Sequence, residues 1–470
     1  MNVWHVFYAI LWLPILAHPY DGLISFNKGH LQRIEVGNMQ NAYQKFPFKI
    51  GSLKAINWGP ISEADLTFGD ITLLIGPQNC GKTYLALLTS LLKELFEDGI
   101  LRFSLPNSIV EQLKNSGFKG YVSRDLLANF VKNNINDIID YIRSDALKRI
   151  SYTLLNNLVL RYYSIPVDKL IRYGEKDALI GITFKDENVT ILHLEIRVNQ
   201  EMNAEVTLDV SPKMILSWLE AFSPEITIHE KGWSLSYTDR YIFIPKESIY
   251  IPAERVALFP MLAEVTSLVI SILRELQEHE TRRIFRIREP IFKYLRILNN
   301  VLRHEQLRCE ILDYGELILS DRELTYHDFI KGADIPISCA GSGIMQTAGI
   351  ILPIKFSNPN LVIVEEPEIN LHADAQLKIS EYLAELSNRS QLLITTHSHY
   401  LLAKLANLHA KGEIANFMPY FIDVISGKTK KLEISKETGE VELPSSIKEA
   451  LDALAKESIE LSEKIYGREI

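Results

Sequence analysis

Eight consecutive residues, Gly76-Pro77-Gln78-Asn79-Cys80-Gly81-Lys82-Thr83, constrain this chain more than any other stretch. They fit the pattern GxxxxGK[ST] without a mismatch, and their surroundings are the ones that pattern needs. The apolar run Ile71–Ile75 ahead of them reads as a strand. Behind them Leu85, Leu88, Leu91, Leu92 and Leu95 follow helical spacing, so a helix leaves the strand directly. Glycines let such a turn curl until amide N–H groups at the helix N-terminus surround a phosphate. The whole octet is therefore expected to line a bound nucleotide, with Lys82 on its β- and γ-phosphates and the Thr83 hydroxyl on Mg²⁺.

Two further elements follow in the order such a site requires. The strand Leu361–Val364 ends in Glu365-Glu366-Pro367-Glu368, and adjacent carboxylates at a strand tip project to opposite sides of the chain. Glu365 is expected to hold Mg²⁺ or its water, and Glu366 to orient and polarise the attacking water. The bland alternative is an acidic turn after a hydrophobic strand. The run Gln391–Thr395 reads as another strand, followed by Thr396-His397-Ser398-His399. His397, just past its tip, is the choice for a hydrogen-bonding contact to the γ-phosphate. His399 is read as structural.

Taken in order, Gly76–Thr83, Ser342-Gly343-Ile344-Met345-Gln346, Leu361–Glu368 with Asn370-Leu371-His372, and His397 make the chain resemble a known family. The likeness is to the stand-alone ABC-class ATPases related to SMC, RecF and the OLD (overcoming lysogenization defect) proteins. Phe48–Thr83 and Ala340–Leu402 match closely, and the part between them only loosely. The resemblance implies an α/β P-loop NTPase built as an ABC-type ATPase head, ATP and Mg²⁺ as ligands, and hydrolysis of ATP. It also implies an ATP-dependent head-to-tail homodimer, in which Ser342 and Gly343 face the γ-phosphate held by the other subunit. The chain departs from the family in three ways: GSGIMQ stands where LSGGQ is usual, Glu365 stands where many members have Asp, and no Q-loop glutamine is assigned. Full-length OLD proteins carry a Toprim nuclease behind the ATPase. Here 73 residues follow His397 without a DxD, so the expectation is an ATPase without its own nuclease.

Length and pattern suggest several units around this head. They are an N-terminal apolar segment or extension (1–45), the first half of the core (46–97), an inserted α+β subdomain (98–247), a strand and helical subdomain (248–306), the second half of the core (307–440) and a C-terminal helix (441–470). Val3–Ala17 is almost wholly apolar but has no basic run ahead of it and falls short of the roughly 18 to 20 residues of a spanning helix. It is read as a buried segment, or as an extension upstream of Met39, in preference to a signal peptide or anchor. The C-terminal helix is expected to open on a capping box of Ser446 and Glu449.

A net charge of -9 argues against a general nucleic-acid coat, though it leaves room for a local basic patch. Residues 274–308 carry nine Arg or Lys against five Glu, with Arg282, Arg283 and Arg286 close together. Residues 282–303 are thus the candidate contact to DNA or RNA, against the plainer reading of a solvated helix face. Arg255 in Ile251-Pro252-Ala253-Glu254-Arg255 is expected in an ordinary ion pair, with a contact to nucleotide or to a subdomain as the alternative. Three scattered cysteines indicate neither disulfides nor a zinc site, and a cytoplasmic location is expected. The function this supports is an ATPase switch acting on nucleic acid or on a nuclease or toxin partner, in repair or defence. The alternative is the ATP-binding subunit of a membrane transporter, which the long insertion and the irregular signature disfavour.

Overall fold

The computed structural model describes residues 48–97, 111, 115, 120–122, 124–222, 225–229, 232–236, 248–259, 288–301, 306–320, 323–442, 453 and 455–460. The expected N-terminal segment, the arginines at 282, 283 and 286, and the Ser446/Glu449 cap lie outside the described residues.

Strands β1 (Phe48–Trp58) and β2 (Ile61–Thr67) form a hairpin, and β3 (Ile71–Ile75) runs into the glycine loop and helix α1 (Lys82–Glu97). The next stretch supplies β4 (Gly120–Val122), α2 (Arg124–Asn133), α3 (Ile135–Arg149), α4 (Tyr152–Tyr163), β5 (Asp177–Asp186), β6 (Val189–Asn199), β7 (Ala204–Val210), α5 (Pro212–Phe222), β8 (Glu225–His229) and β9 (Gly232–Ser236). The second half contains β10 (Ser248–Ile251), α6 (Glu289–Val301), β11 (Gln306–Ile311), β12 (Gly315–Ser320), β13 (Glu323–Asp328), β14 (Ala333–Pro336) and α7 (Ser342–Ser357). It closes with β15 (Leu361–Glu365), α8 (Ala373–Leu386), β16 (Gln391–Thr396), α9 (His399–Ala410), β17 (Phe417–Ile422) and β18 (Thr429–Lys431).

The central sheet has the order β10-β15-β16-β3-β17-β18, parallel except at the last pair. Strands β3, β15 and β16 are buried along their whole length, as parallel strands covered on both faces must be. Alternation divides the sheet's side chains between two cores. Leu74, Ile363, Leu393 and Ile422 join α1 and an antiparallel sheet of order β2-β1-β5-β6-β7. Leu73, Ile75, Val362, Val364 and Ile394 join the core built by α6 to α9 and the antiparallel meander β11-β12-β13-β14. Strands β5 to β7 thus extend the sheet begun by β1 and β2, through the antiparallel pairing of β1 with β5, while β4, β8 and β9 make a separate three-stranded sheet.

Two polar links hold these layers in place. Gln391, buried at the start of β16, donates to the carbonyls of Ile50 and Gly69 and accepts from the Ile50 amide. Glu94 on α1 is buried against Arg161 of α4 (3.0 Å) and Lys293 of α6 (2.8 Å), and accepts a hydrogen bond from Tyr162. Burial alone would raise the Glu94 carboxyl, but Lys293, Arg161 and Tyr162 outweigh it and hold the group below the usual carboxylate range. A depressed folded-state pKa stabilises above the unfolded value and loses that contribution as pH falls through the folded one. Glu94→Gln leaves two cations beside a neutral amide, so it is expected to cost about 3–5 kcal/mol at pH 7. Urea unfolding should show the gap between wild type and variant narrowing below about pH 4; a gap that stays constant into acid would remove the charge from the explanation.

Candidate functional site

The glycine loop is shaped by what surrounds it. A side chain at Gly76 would meet the Ile422 carbonyl at 2.7 Å, and one at Gly81 would meet the Ile61 side chain at 2.5 Å on a backbone already at φ +107°. The loop is therefore closed between the end of β17 and the start of β2. Pro77, Gln78 and Asn79 are exposed at its crest, while Gly76, Cys80, Gly81 and Lys82 are buried. The first amides of α1 have no intrahelical partners and point toward the loop's opening, the geometry of an anion seat.

Lys82 Nζ donates to the carbonyls of Gly76 (3.0 Å) and Pro77 (2.9 Å), so its charge is held at the loop. Burial lowers its pKa, and Cys80, Glu366 and Glu368 counter this. Parallel pairing brings the tips of β3, β15 and β16 side by side, with Glu365 opposite Thr395 and Thr396 opposite Ile75. That register puts the two expected glutamates and His397 beside the loop.

Glu365 is 2% exposed, and burial raises its carboxyl above the ordinary value; Thr83, Tyr250 and the Ala253 amide act in the opposite direction. Its Oε2 accepts from the Ala253 amide at 3.4 Å, whereas Oε1 is buried without a hydrogen-bond partner. A buried carboxylate oxygen with no donor, beside a threonine hydroxyl, is a fitting pair of hard oxygen ligands for Mg²⁺, which takes one or two protein ligands and completes its shell with phosphate and water. Among the described residues no cluster of three or more His, Cys, Asp or Glu could hold a metal by itself.

Glu366 has φ +45°, a left-handed conformation unusual for a residue with a Cβ. Its Oε1 lies 3.6 Å from His397 Nε2. His397 is held below the usual histidine pKa by burial and by Lys82, against the pull of Glu366, Glu368 and the Gly76 carbonyl. Its imidazole is thus neutral in neutral solution and offers one donor and one acceptor. The Ser398 hydroxyl accepts from the Leu401 amide and caps α9, which fixes where the chain turns after His397. His399 is exposed at the first position of that helix.

Lys82, Thr83, Glu365, Glu366 and His397 are accordingly brought together. Ser342 and Gly343 are not part of this cluster: they open α7, where Ser342 is exposed and Gly343 is half-buried against Asn370 and Leu371. Two further residues support the cluster, one with no role read from the sequence and one with a different role. Glu368 accepts the His397 amide at 2.6 Å, a contact made only when the turn after β15 meets the end of β16. Arg255 corrects the expectation of an ion pair. It is wholly buried and, among the described residues, closes no ion pair; its guanidinium donates to the carbonyls of Pro252, Glu365 and Glu366. The acidic run nearby was the signal, but the acceptors are its backbone oxygens.

Residues 260–402 match the AAA ATPase domain family, a segment that includes Ser342, Glu365, Glu366 and His397. No curated protein matches the chain. Among solved structures, the SMC head domain from Thermotoga maritima aligns with a TM-score of 0.38 at 10% identity, over 82% of this chain and 99% of that one. An Smc head domain with an extended coiled coil, bound to the C-terminal domain of ScpA and derived from Pyrococcus furiosus, gives 0.38 at 13% identity, over 87% and 99%. The recombination mediator protein RecF gives 0.33 at 10%, over 83% and 99%. With a glycine loop and paired glutamates at the strand tips of a largely parallel sheet, the chain is an α/β protein whose residues 260–402 match an AAA ATPase domain.

Proposed function

We propose that this protein binds ATP with Mg²⁺, hydrolyses it, and uses the cycle as a dimerising switch. The observation that carries the reading is the convergence of Lys82, Glu366 and His397, with the 3.6 Å approach of the last two at the mouth of the glycine loop. Lys82 would leave the Gly76 and Pro77 carbonyls for the β- and γ-phosphates. Gln78, Asn79, Cys80 and the two glycines would surround those phosphates with backbone amides, and Pro77, which has no N–H, would line the loop beside them. Thr83 and Glu365 would hold Mg²⁺, which supplies neutralisation of the phosphate charge.

Glu366 would orient a water and draw on its proton as attack proceeds. Neutral His397 would hydrogen-bond the γ-phosphate, its amide tethered by Glu368. Ser342, exposed at the start of α7, and the half-buried Gly343 beside it are suited to the same phosphate from a second subunit, which is what makes the dimer part of the reading. Nucleic acid, met through 282–303, or a nuclease or toxin protein is the proposed target. No helix among the described residues is long and apolar enough to cross a membrane.

Phosphate release from purified protein is the direct test. Turnover is expected with Mg²⁺ and none with the metal chelated, and DNA or RNA should change the rate. Replacing Arg282, Arg283 and Arg286 with Glu should remove that response and flatten the salt dependence of binding. Absence of turnover in every condition would end the hydrolysis reading, and a nucleic-acid response indifferent to the triple substitution would free the basic run from it.

A further inference from the structure

We infer that Arg255 is a positioning residue for hydrolysis, whose guanidinium fixes the peptide between Glu365 and Glu366 and so aims both carboxylates. The inference rests on the reading of Glu366 as the group that polarises water. Nη1 donates to Pro252 O at 3.1 Å and to Glu365 O at 2.5 Å, while Nη2 donates to Glu366 O at 2.7 Å. One planar fork thus spans two successive carbonyls. A lysine ammonium is a point charge on a flexible stem and does not reproduce that grip.

The placement has a cost that packing does not explain. A fully buried cation is unfavourable unless its donors are met, and an apolar side chain would fill the space without that penalty. The grip falls where the chain needs holding, because the backbone turns left-handed at Glu366, directly after the last residue of β15. The Glu366 amide is fastened separately to Thr395 O at 2.8 Å. Both ends of this residue are therefore set by the fold before any ligand arrives.

Arg255 is itself held by α6 and α7. A side chain added at Gly349 of α7 would lie 3.7 Å from Arg255 Cδ and 3.0 Å from the Tyr294 hydroxyl. That hydroxyl, on α6, donates to Gly349 O at 2.9 Å. Pro353 explains the bond: four residues on, it has no N–H to give the Gly349 carbonyl, and Tyr294 supplies the donor instead. The helix that begins at Ser342 is thereby packed onto the residue that grips the glutamates.

The test compares Arg255→Lys and Arg255→Ala with Tyr294→Phe, which disturbs the same core but leaves the carbonyl grip. Melting, affinity for a fluorescent ATP analogue, KM and kcat are read for each. Arg255→Lys should lower kcat about tenfold or more while affinity and KM stay within about twofold, because misaimed groups slow chemistry without removing binding contacts. Millimolar methylguanidinium should restore part of the kcat of Arg255→Ala. Tyr294→Phe should melt earlier with kcat unchanged. The inference falls if Arg255→Lys turns over like wild type, if its affinity declines in step with kcat/KM, or if neither Arg255 variant melts cooperatively. Glu366→Gln, assayed alongside, separates the two layers: wild-type turnover there removes the role of Glu366 whatever Arg255 does.

Discussion

Lys82→Ala is expected to abolish ATP binding while the protein still melts cooperatively. The lysine is 5% exposed and its ammonium is held by the Gly76 and Pro77 carbonyls, so the charge lies at the loop that would receive the phosphates. Each charge-assisted hydrogen bond is worth about 1.5–3 kcal/mol, so losing the contacts to two phosphates weakens affinity by a hundredfold or more. The fold is expected to lose far less. Pro77 is exposed, and its carbonyl can turn to water, while the packing of α1 rests on its leucines. Titration with a fluorescent ATP analogue, paired with a melting curve, separates the two effects. Unchanged affinity would overturn the assignment of the loop, and lost affinity with lost cooperativity would make Lys82 a structural residue.

The residues of this candidate site are legible in the sequence because they are local. The octet from Gly76 to Thr83, the glutamates after Val364 and the histidine after Thr396 each follow an apolar strand, and strand tips are where a parallel sheet presents its working groups. Sheet order was not legible. β3 pairs with β16 and β17, more than 300 residues later, and no periodicity in either segment records that pairing. Hairpin strand β2 was missed because Ser62, Glu63 and Asp65 face outward and dilute the buried Ile61, Ala64 and Leu66. The meander β11 to β14 was likewise absorbed into an expected α/β half, although its alternation is visible in hindsight along β12. The runs Val189–Val198 and Ala204–Val210 alternate as β6 and β7 do, but their joining through β5 to β1 depends on a contact across the chain.

Arg255 is the most instructive residue in this respect. Its charge suggested a carboxylate partner, and three carboxylates stand close by in Glu365, Glu366 and Glu368. The fold instead offers it carbonyl oxygens, which every residue carries and which no sequence pattern marks. Glu368 is similar, since its acceptor role exists only because an amide arrives from β16. Side chains that act on the backbone are invisible to motif reading, and here they surround the motif that was read.

Glu366→Gln should trap a dimer. If Glu366 polarises water while Ser342 of a second subunit meets the same γ-phosphate, the amide keeps the binding surface and loses the base. The substitution changes neither the side-chain length nor the left-handed backbone at this position, and the Arg255 grip acts on the carbonyl, which is untouched. Bound ATP would then persist and hold two subunits together by mass action. With ATP and Mg²⁺ the variant is expected to double in mass by size-exclusion chromatography with light scattering, and without nucleotide it should run as wild type does. Adding Ser342→Arg supplies the control. Ser342 is exposed at the first position of α7, so bulk and positive charge there leave the subunit's core alone and obstruct only a face-to-face contact. The double variant should keep its affinity for ATP yet return to the nucleotide-free mass. A mass for Glu366→Gln that ignores ATP, or a dimer indifferent to Ser342→Arg, would remove the shared site and leave nucleotide binding by the single subunit standing.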